Sequence, residues 1–119
     1  MVGTVEIKPA VFLKGSRKAI REFPEQARKD AGHELRAVQK GSSPGDWRSI
    51  PAVGLGAVEI RLHNPHEHRV IYVAKFNEAV YVLHAFEKKE KATSKQDINI
   101  GRAAYAQMQT IHREKKQDV

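Results

Sequence analysis

Residues 57–86 read AVEIRLHNPHEHRVIYVAKFNEAVYVLHAF and contain three apolar runs separated by short polar segments. The runs are Ala57–His63, Arg69–Lys75 and Ala79–Phe86, and each is rich in Val, Ile, Leu and Tyr, which favour strands. The segments between them, Asn-Pro-His-Glu-His and Phe-Asn-Glu, can form hairpin turns. This region therefore predicts an antiparallel meander, in which the last two runs, apolar on both faces, are central strands.

The second turn of this meander fixes which side chains share a face. A turn at residues 77–78 pairs Ile71 with His84 and Arg69 with Phe86. Side chains two positions apart on a strand point to the same side of a sheet. We therefore expect Arg69 and His84 on one face.

The first turn leaves the position of Arg61 open. The first run alternates apolar residues with Glu59 and Arg61, which predicts a strand with one buried and one more polar face. A five-residue loop over residues 63–67 places Arg61 opposite Arg69. A four-residue loop pairs Arg61 with Val70 and turns its side chain away. The sequence does not decide between these registers.

The region before the meander is typical of two consecutive helices. Ser16 is placed to cap a short helix through Phe23, and Pro24 is placed to open a second helix that Gly41 closes. The second helix is amphipathic, because apolar residues recur at three- and four-residue spacing. These residues are Ala27, Ala31, Leu35 and Val38.

The N-terminal end of the chain has a weak strand pattern, and the C-terminal end has a strong helix pattern. Val5–Phe12 supports at most a short edge strand, because Pro9 has no N–H to donate to a neighbouring strand. Ser94 followed by Asp97 resembles a capping box and predicts a C-terminal helix. That helix has an apolar face with helical spacing and is expected to fray from about residue 112, where the face ends. The face consists of Ile100, Ala104, Met108 and Ile111.

The composition is that of one α+β domain. The 119 residues, 40% hydrophobic and 29% charged, suit a single core spanning residues 1–119. We expect a small antiparallel sheet of three to four strands with an N-terminal helical hairpin and a C-terminal helix, the helices packed mainly on one face. Cysteine is absent, which excludes disulfides and Cys-ligated metal sites. Because the sequence has neither a bilayer-spanning apolar run nor a signal-peptide layout, we expect a cytoplasmic protein.

The chain is strongly basic. It carries 21 Lys and Arg against 14 Asp and Glu, a formal net charge of +7, and its sequence pI is about 9.8. Such an excess is typical of domains that bind nucleic acid. The same charge can also serve solubility alone, so the placement of the cations has to decide between the two interpretations.

Candidate functional residues are concentrated between the first strand of the meander and the C-terminal helix. An arginine fork stays charged and binds phosphate, while a histidine within an apolar strand is either a hydrogen-bonded structural residue or a group that transfers protons. Lysines that follow the last strand are expected at the mouth of any groove on the sheet, and a tyrosine can stack on a base. The candidates are Arg61, Arg69, Tyr72, His84, Lys88, Lys89 and Lys91.

The sequence does not indicate a metal or a nucleotide cofactor. His63, His66 and His68 have H-x-x-H-x-H spacing, but they lie on a hairpin tip with Glu67 as the only nearby carboxylate, and we predict no metal site there. The Gly-Leu-Gly of residues 54–56 precedes a strand rather than opening a helix, unlike a phosphate-binding loop. There is also no nucleophile elbow and no paired-carboxylate signature. We therefore expect an activity without a cofactor.

Four segments together resemble a toxin family. They are WRSIPAVGLGAVEIR from Trp47, HRVIYV from His68, VYVLHAFEKKEK from Val80 and the SKQDINIGRA that follows, the last matching a closing helix. In combination they are similar to phage-derived HigB-type toxins of the RelE/ParE superfamily over roughly residues 12–106. In this sequence Glu67 and His68 stand where the family commonly has a glycine and an aromatic residue.

The resemblance implies the toxin half of a toxin–antitoxin pair. Such toxins are usually metal-independent endoribonucleases that cleave mRNA, often on the ribosome, and are inhibited by an antitoxin, here expected to be of the helix-turn-helix type. The resemblance places Arg61, Arg69, Lys88 and Lys89 at basic positions of the family and His84 at the histidine of its L-H-x-F pattern. We expect Arg61, Arg69 and His84 to be catalytic and Lys88, Lys89, Lys91 and Tyr72 to bind RNA, without a metal, a cofactor or a membrane. We expect Arg69→Ala to abolish toxicity and RNA cleavage and to leave the fold intact, because only a surface cation is removed.

Two other functions are compatible with the same sequence. Related ParE-type toxins inhibit a protein target such as DNA gyrase and do not cut RNA. A basic module that binds nucleic acid without catalysis would carry the same charge. The three functions predict different products: cut mRNA, inhibited supercoiling, or bound but intact RNA.

Overall fold

The computed structural model describes residues 7–117, which form a five-stranded mixed sheet and three helices. The strand order across the sheet is β1-β5-β4-β3-β2, so β4 is central. Within the described residues, none of the helices combines the length and the apolar character needed to cross a membrane. The elements in chain order are β1 (Ala10–Phe12), α1 (Ser16–Arg21), α2 (Glu25–Gln39), β2 (Trp47–Ser49), β3 (Ala57–Leu62), β4 (His68–Val73), β5 (Val80–Glu87) and α3 (Lys95–Gln117).

The predicted meander is present as β3, β4 and β5. Ile71 pairs with His84 and Arg69 pairs with Phe86, as predicted, but a register shift between Ile71 and Tyr72 places Tyr72 opposite Val82, so the pairs nearest the turn differ from those expected for a turn at residues 77–78. Arg61 pairs with Arg69, so the first turn is the five-residue loop and the two arginines are direct cross-strand neighbours. Cross-strand neighbours have Cβ atoms about 5 Å apart, which places both guanidinium groups at one end of the sheet.

The sheet is larger than predicted and is not purely antiparallel. β1 pairs with β5 in the parallel sense, Ala10 beside Val80, and β2 pairs antiparallel with β3, Trp47 beside Ile60. Each of these edge strands has three residues, too few to show a period of two. Their pairing depends on contacts across the fold. Val5 and Glu6 of the predicted N-terminal strand lie outside the described residues.

Helices cover both faces of the sheet, so the prediction of one covered face is wrong. α1 and α2 pack on one face through Ile20, Ala27, Leu35 and neighbouring residues, and α3 packs on the other through Ala104, Tyr105 and Met108. The physical reason lies in β4 and β5, which carry apolar side chains on both faces. Two apolar faces need two covering layers. We call the face under α3 the α3 face.

The ends of the first two helices follow the sequence signals in part. Gly41 has a φ of 94° and, with the next residue, donates hydrogen bonds back into α2, which confirms it as the residue that closes the helix. Pro24 precedes the first residue of α2, as predicted. Ser16 does not cap α1, because its hydroxyl donates to the carbonyl of Val82, 3.0 Å away, and ties the helix to β5.

α3 begins at the predicted capping box. The Asp97 N–H donates to the Ser94 hydroxyl oxygen at 3.1 Å, and that hydroxyl donates to the Asp97 carboxylate at 2.7 Å. The helix continues to Gln117, beyond the point at which the sequence predicted fraying. His112 explains the extension, because its ring stacks on Phe76 with the centroids 3.7 Å apart.

Candidate nucleic-acid interface

Cationic side chains from three strands, and from the residue that follows a fourth, meet at one end of the α3 face. Arg48 of β2 is paired with Glu59 of β3, and Arg61 of β3 is paired with Arg69 of β4. Lys88 follows β5 and is close enough for its pKa to respond to all three arginines. We call Arg48, Arg61, Arg69 and Lys88 the cation cluster.

Glu59 is the buried carboxylate at the centre of the cation cluster. Its side chain is fully buried, and it accepts hydrogen bonds from Arg48 Nε at 2.9 Å and from the Thr93 hydroxyl at 2.6 Å. Arg69 Nε lies 3.9 Å from the same carboxylate. A buried carboxylate needs such partners to offset its loss of hydration. This face of β3 is therefore polar, as predicted, but it is buried at Ala57 and Glu59 and partly exposed at Arg61.

Arg69 is a buried side chain, with only 3% of the residue exposed. Its Nη1 donates to the carbonyl of His68 at 2.9 Å, and its Nη2 donates to the carboxylate of Glu67 at 2.8 Å. Its Nε is buried and has no hydrogen-bond partner within residues 7–117. The expectation that Arg69 is a surface cation is wrong, because it lies on the central strand and is enclosed by its neighbours.

Arg61 is the more accessible of the two strand arginines. About a third of its side chain is exposed, and Nη1 lies 4.0 Å from the Asp46 carboxylate. Its Nε, like that of Arg69, is buried without a partner in the described part of the chain. Two adjacent guanidinium groups thus each retain an unused donor. Anions with several acceptor oxygens can satisfy such donors.

Lys88 lies at the edge of the cation cluster and is half-buried. Its backbone N–H donates to the carbonyl of Glu67, which holds the end of β5 beside the start of β4. Burial lowers the pKa of the Lys88 ammonium, and the charge of Arg69 lowers it further, while Glu59 acts in the opposite direction. A lysine with a lowered pKa is better suited to exchange a proton near neutral pH.

A pocket of about 150 Å³ opens beside Lys88 at the start of α3. Lys88 and Lys89 contribute its positive charge, and Asp97 belongs to its wall. Lys91 is exposed in the following loop and is not a lining residue. Two of the three predicted lysines therefore border one concave surface. Its lining is Glu87, Lys88, Lys89, Glu90, Ala92, Ser94 and Asp97.

His84 lies on the α3 face but not in the cation cluster. Glu59, Ile71 and His84 form a row across three strands, which separates His84 from Glu59 by two strand spacings, roughly 10 Å. Its Nε2 is 2.8 Å from the Asp97 carboxylate, its ring stacks on Phe86, and 11% of its side chain is exposed. Asp97 thus connects His84 to the pocket wall.

Tyr72 lies on the opposite face of the sheet from the cation cluster. Its ring packs in the core under α1 and α2, and 5% of the residue is exposed. Burial raises the pKa of the Tyr72 hydroxyl to about 12. Of the other aromatic side chains, Tyr81 is fully buried, whereas Trp47 on the edge strand is 44% exposed. The structure therefore does not bring Tyr72 together with the other candidates.

His63 bridges two carboxylates next to the cation cluster. Its Nε2 lies 2.6 Å from Asp46 and its Nδ1 lies 2.7 Å from Glu67. The hydrogen bond with Asp46, and then that with Glu67, raises the pKa of His63. Hydrogen bonds from His63 and then from Arg69 lower the pKa of Glu67. The β3–β4 loop is thus tied to the cation cluster through Glu67.

The three loop histidines do not converge on one point. His68 is buried and packs against Phe23, with ring centroids 4.6 Å apart, while His66 stacks over His68. His63 points to the two carboxylates already described. Within residues 7–117, no group of three or more histidine and carboxylate side chains is arranged to hold a metal ion.

Four residues of the site were not singled out by sequence reasoning: Arg48, Glu59, Thr93 and Asp46. Arg48 and Glu59 both lie within the segments that carry the family resemblance, and a lone glutamate in an apolar strand is itself a signal, because burying it requires a cationic partner. Thr93 and Asp46 carry no comparable signal. Their positions follow from loop conformations that bring them beside β3.

Comparison with known proteins places the chain in a family. No curated protein gives a significant match to this sequence. A family model, described as Phage derived protein Gp49-like (DUF891), matches residues 18–106. That span begins within α1, ends within α3 and contains the whole cation cluster. The chain therefore belongs to the Gp49-like family of phage-derived proteins, a toxin-like family of the RelE/ParE type.

Proposed function

We propose that this protein is the HigB-type toxin of a toxin–antitoxin pair and that it cleaves mRNA in the cytoplasm as a metal-independent endoribonuclease. The observation that carries the proposal is the cation cluster, in which Arg48, Arg61 and Arg69 from three strands meet Lys88, which follows a fourth, beside one pocket. Membership of a toxin-like family supports the toxin half of the proposal. A helix-turn-helix antitoxin is the expected partner, and the ribosome the expected place of cleavage.

The proposed reaction uses the RNA's own nucleophile. The 2′-hydroxyl oxygen attacks the adjacent phosphorus, the bond to the 5′-oxygen breaks, and the products are a 2′,3′-cyclic phosphate and a 5′-hydroxyl end. One proton leaves the 2′-oxygen and one reaches the 5′-oxygen. Fixed cations stabilise the negative charge that develops on the phosphate oxygens, and Arg61 and Arg69 are the residues assigned to this role.

Proton transfer is assigned to Lys88 rather than to His84. Lys88 belongs to both the cation cluster and the pocket, and its pKa is lowered by burial and by Arg69. His84 is largely enclosed and contacts the pocket through Asp97, which suits a positioning role. Tyr72 is removed from the RNA-contacting set because it lies on the other face. Lys89 and Lys91 are exposed and are assigned to the RNA backbone.

Primer extension on a defined transcript, with and without ribosomes, tests this proposal. We expect cut sites with the native protein and at least a tenfold loss of cleavage for Arg61→Gln and Lys88→Gln, a loss typical of removing a charge-stabilising or proton-transferring group. Arg28→Gln is the control, because Arg28 is an exposed cation on α2, on the other side of the sheet. Intact RNA with inhibited gyrase supercoiling would instead indicate a ParE-type inhibitor, and bound but intact RNA a binding module.

A further inference from the structure

The ion pair between Arg69 and Glu67 occupies the position at which the proposed reaction needs a phosphate. Only 4% of the Arg69 side chain is exposed, whereas 42% of the Glu67 side chain is exposed. Glu67 Oε1 lies 2.8 Å from Arg69 Nη2. A ligand that approaches Arg69 from solvent therefore meets the carboxylate first.

The ion pair leaves the arginine incompletely satisfied. Nε and Nη2 form the side-on edge of a guanidinium group, which binds carboxylate or phosphate through two parallel hydrogen bonds. In Arg69, Nη2 has its bond to Glu67, but Nε is buried without a partner in residues 7–117 and lies 3.9 Å from Glu59. A phosphate has oxygens for both donors of this edge.

Glu67 can leave the edge without a change in the backbone. It is the last residue of the β3–β4 loop, and its carbonyl accepts the backbone N–H of Lys88, so its main chain is fixed. The hydrogen bonds of its side chain within residues 7–117 are to Arg69 and to His63 Nδ1, the latter at 2.7 Å. Rotation of an exposed side chain is a fast local motion.

We infer that Glu67 is an internal competitor for the anion-binding edge of Arg69, so that a phosphate group binds there only after the Glu67 carboxylate has swung out. The identification of that phosphate as an RNA phosphodiester rests on the proposed function. In the open state, the Glu67 carboxylate has left Arg69. Because phosphate binds only this state, its apparent dissociation constant equals the intrinsic one divided by the fraction of molecules that are open.

Titration with inorganic phosphate tests the competition directly. The full-length protein is followed by NMR at one pH and one ionic strength, held constant with chloride, through the side-chain Nε–H resonance of Arg69. Glu67→Gln and Glu67→Ala are expected to bind phosphate roughly three- to tenfold more tightly than the native protein, because each removes the competing charge. The amide spectrum of each variant establishes that the fold is retained.

Glu114→Gln is the matched control for the loss of one negative charge. Glu114 is exposed near the C-terminal end of α3, the end away from the pocket, and makes no ion pair with Arg69 in the described part of the chain. The affinity of this variant for phosphate is expected to stay within about twofold of the native value, as for a screened surface charge. Unchanged affinity in both Glu67 variants, or an equal gain in Glu114→Gln, would overturn the inference.

The phosphate titration and primer extension test two separate hypotheses, and either one can be contradicted without the other. Tighter phosphate binding in the Glu67 variants without any RNA cleavage would support Glu67 as a competitor and contradict the proposed endoribonuclease activity. Cleavage by the native protein with no change in phosphate affinity would retain the endoribonuclease and reject the competitor.

Discussion

Arg69 contributes to the stability of the fold and also has a role in the proposed reaction. Arg69→Ala removes the side-chain donors to the carbonyl of His68 and to the Glu67 carboxylate, and it takes one cation away from the buried Glu59 carboxylate, so we expect a loss of roughly 1–3 kcal/mol in the free energy of unfolding. Urea unfolding measures this loss. Arg61→Ala, at a side chain one-third exposed, is expected to cost less than about 1 kcal/mol. An equal loss at both positions would contradict the difference in burial.

His63 is expected to give the protein a pH-dependent contribution to stability. Its pKa is raised above the usual 6.5, first by Asp46 and then by Glu67, so the folded state binds a proton more tightly than the unfolded state. The stabilisation is complete below pH 6.5 and is lost as the pH rises through the folded pKa. Because half of the side chain is exposed, solvent screens this contribution.

An NMR titration of the His63 ring measures this effect without unfolding the protein. The native protein is expected to show a pKa above 6.5, and Asp46→Asn is expected to lower it, because the first cause of the shift is removed. Urea unfolding at pH 6 and pH 8 should then show a smaller difference for Asp46→Asn than for the native protein. An unchanged His63 pKa in this variant would show that Asp46 does not stabilise the protonated His63 ring.

At the level of elements, the loop between β2 and β3 packs closely against α3. The Tyr105 hydroxyl donates to the carbonyl of Leu55 at 2.7 Å, and a Cβ added at Gly54 would lie 2.4 Å from the Tyr105 ring. The absence of a side chain at Gly54 is therefore what allows α3 to approach. This contact holds α3 on its face of the sheet and thereby holds the pocket at its N-terminus.

Gly54→Ala is expected to lower the free energy of unfolding by roughly 1–3 kcal/mol, because the ring and the helix must shift to admit the methyl group. Gly32→Ala is the control. Gly32 lies within α2 and a Cβ there meets no atom within 4 Å, so the same substitution should stabilise the protein by roughly 0.5–1 kcal/mol through helix propensity. Thermal unfolding of the two variants should therefore move in opposite directions.

For the whole molecule, the charge distribution predicts how RNA binding responds to salt. Arg61, Lys88, Lys89 and Lys91 are the exposed or partly exposed cations assigned to the RNA, whereas the exposed Arg48 is paired with the Glu59 carboxylate. If each of the four neutralises one phosphate of single-stranded RNA, the logarithm of the binding constant should fall against the logarithm of salt concentration with a slope of about −3. Fluorescence anisotropy with a 2′-O-methyl RNA, which cannot be cleaved by its own 2′-oxygen, measures this slope.

Arg61→Gln should reduce the magnitude of the salt slope by about 0.7, the contribution of one phosphate contact. Arg28→Gln, on the far side of the sheet, should leave the slope unchanged. If the binding constant of the native protein does not change with salt concentration, no counterions are released from the RNA on binding. That result would contradict binding through the RNA backbone.

The sequence by itself determined the elements whose signals are local. The apolar runs at β3, β4 and β5, the apolar face of α2 and the Ser94 capping box each lie within a short window, so periodicity and turn chemistry predict them. The same local rules predicted that Arg69 lies on the face of His84. They narrowed the position of Arg61 to two registers, of which one is observed.

Only the tertiary structure decided the long-range features. β1 is the short edge strand that the local pattern allowed, but its parallel pairing with a strand about 70 residues away in sequence does not follow from that pattern. β2 is too short to have a period, so the local pattern does not predict it. Burial depends on what covers a strand, which is why Arg69 is enclosed and Glu59 lies at the centre of the cation cluster. Local sequence specifies which face a side chain takes, but the environment of that face is set by segments distant in the chain.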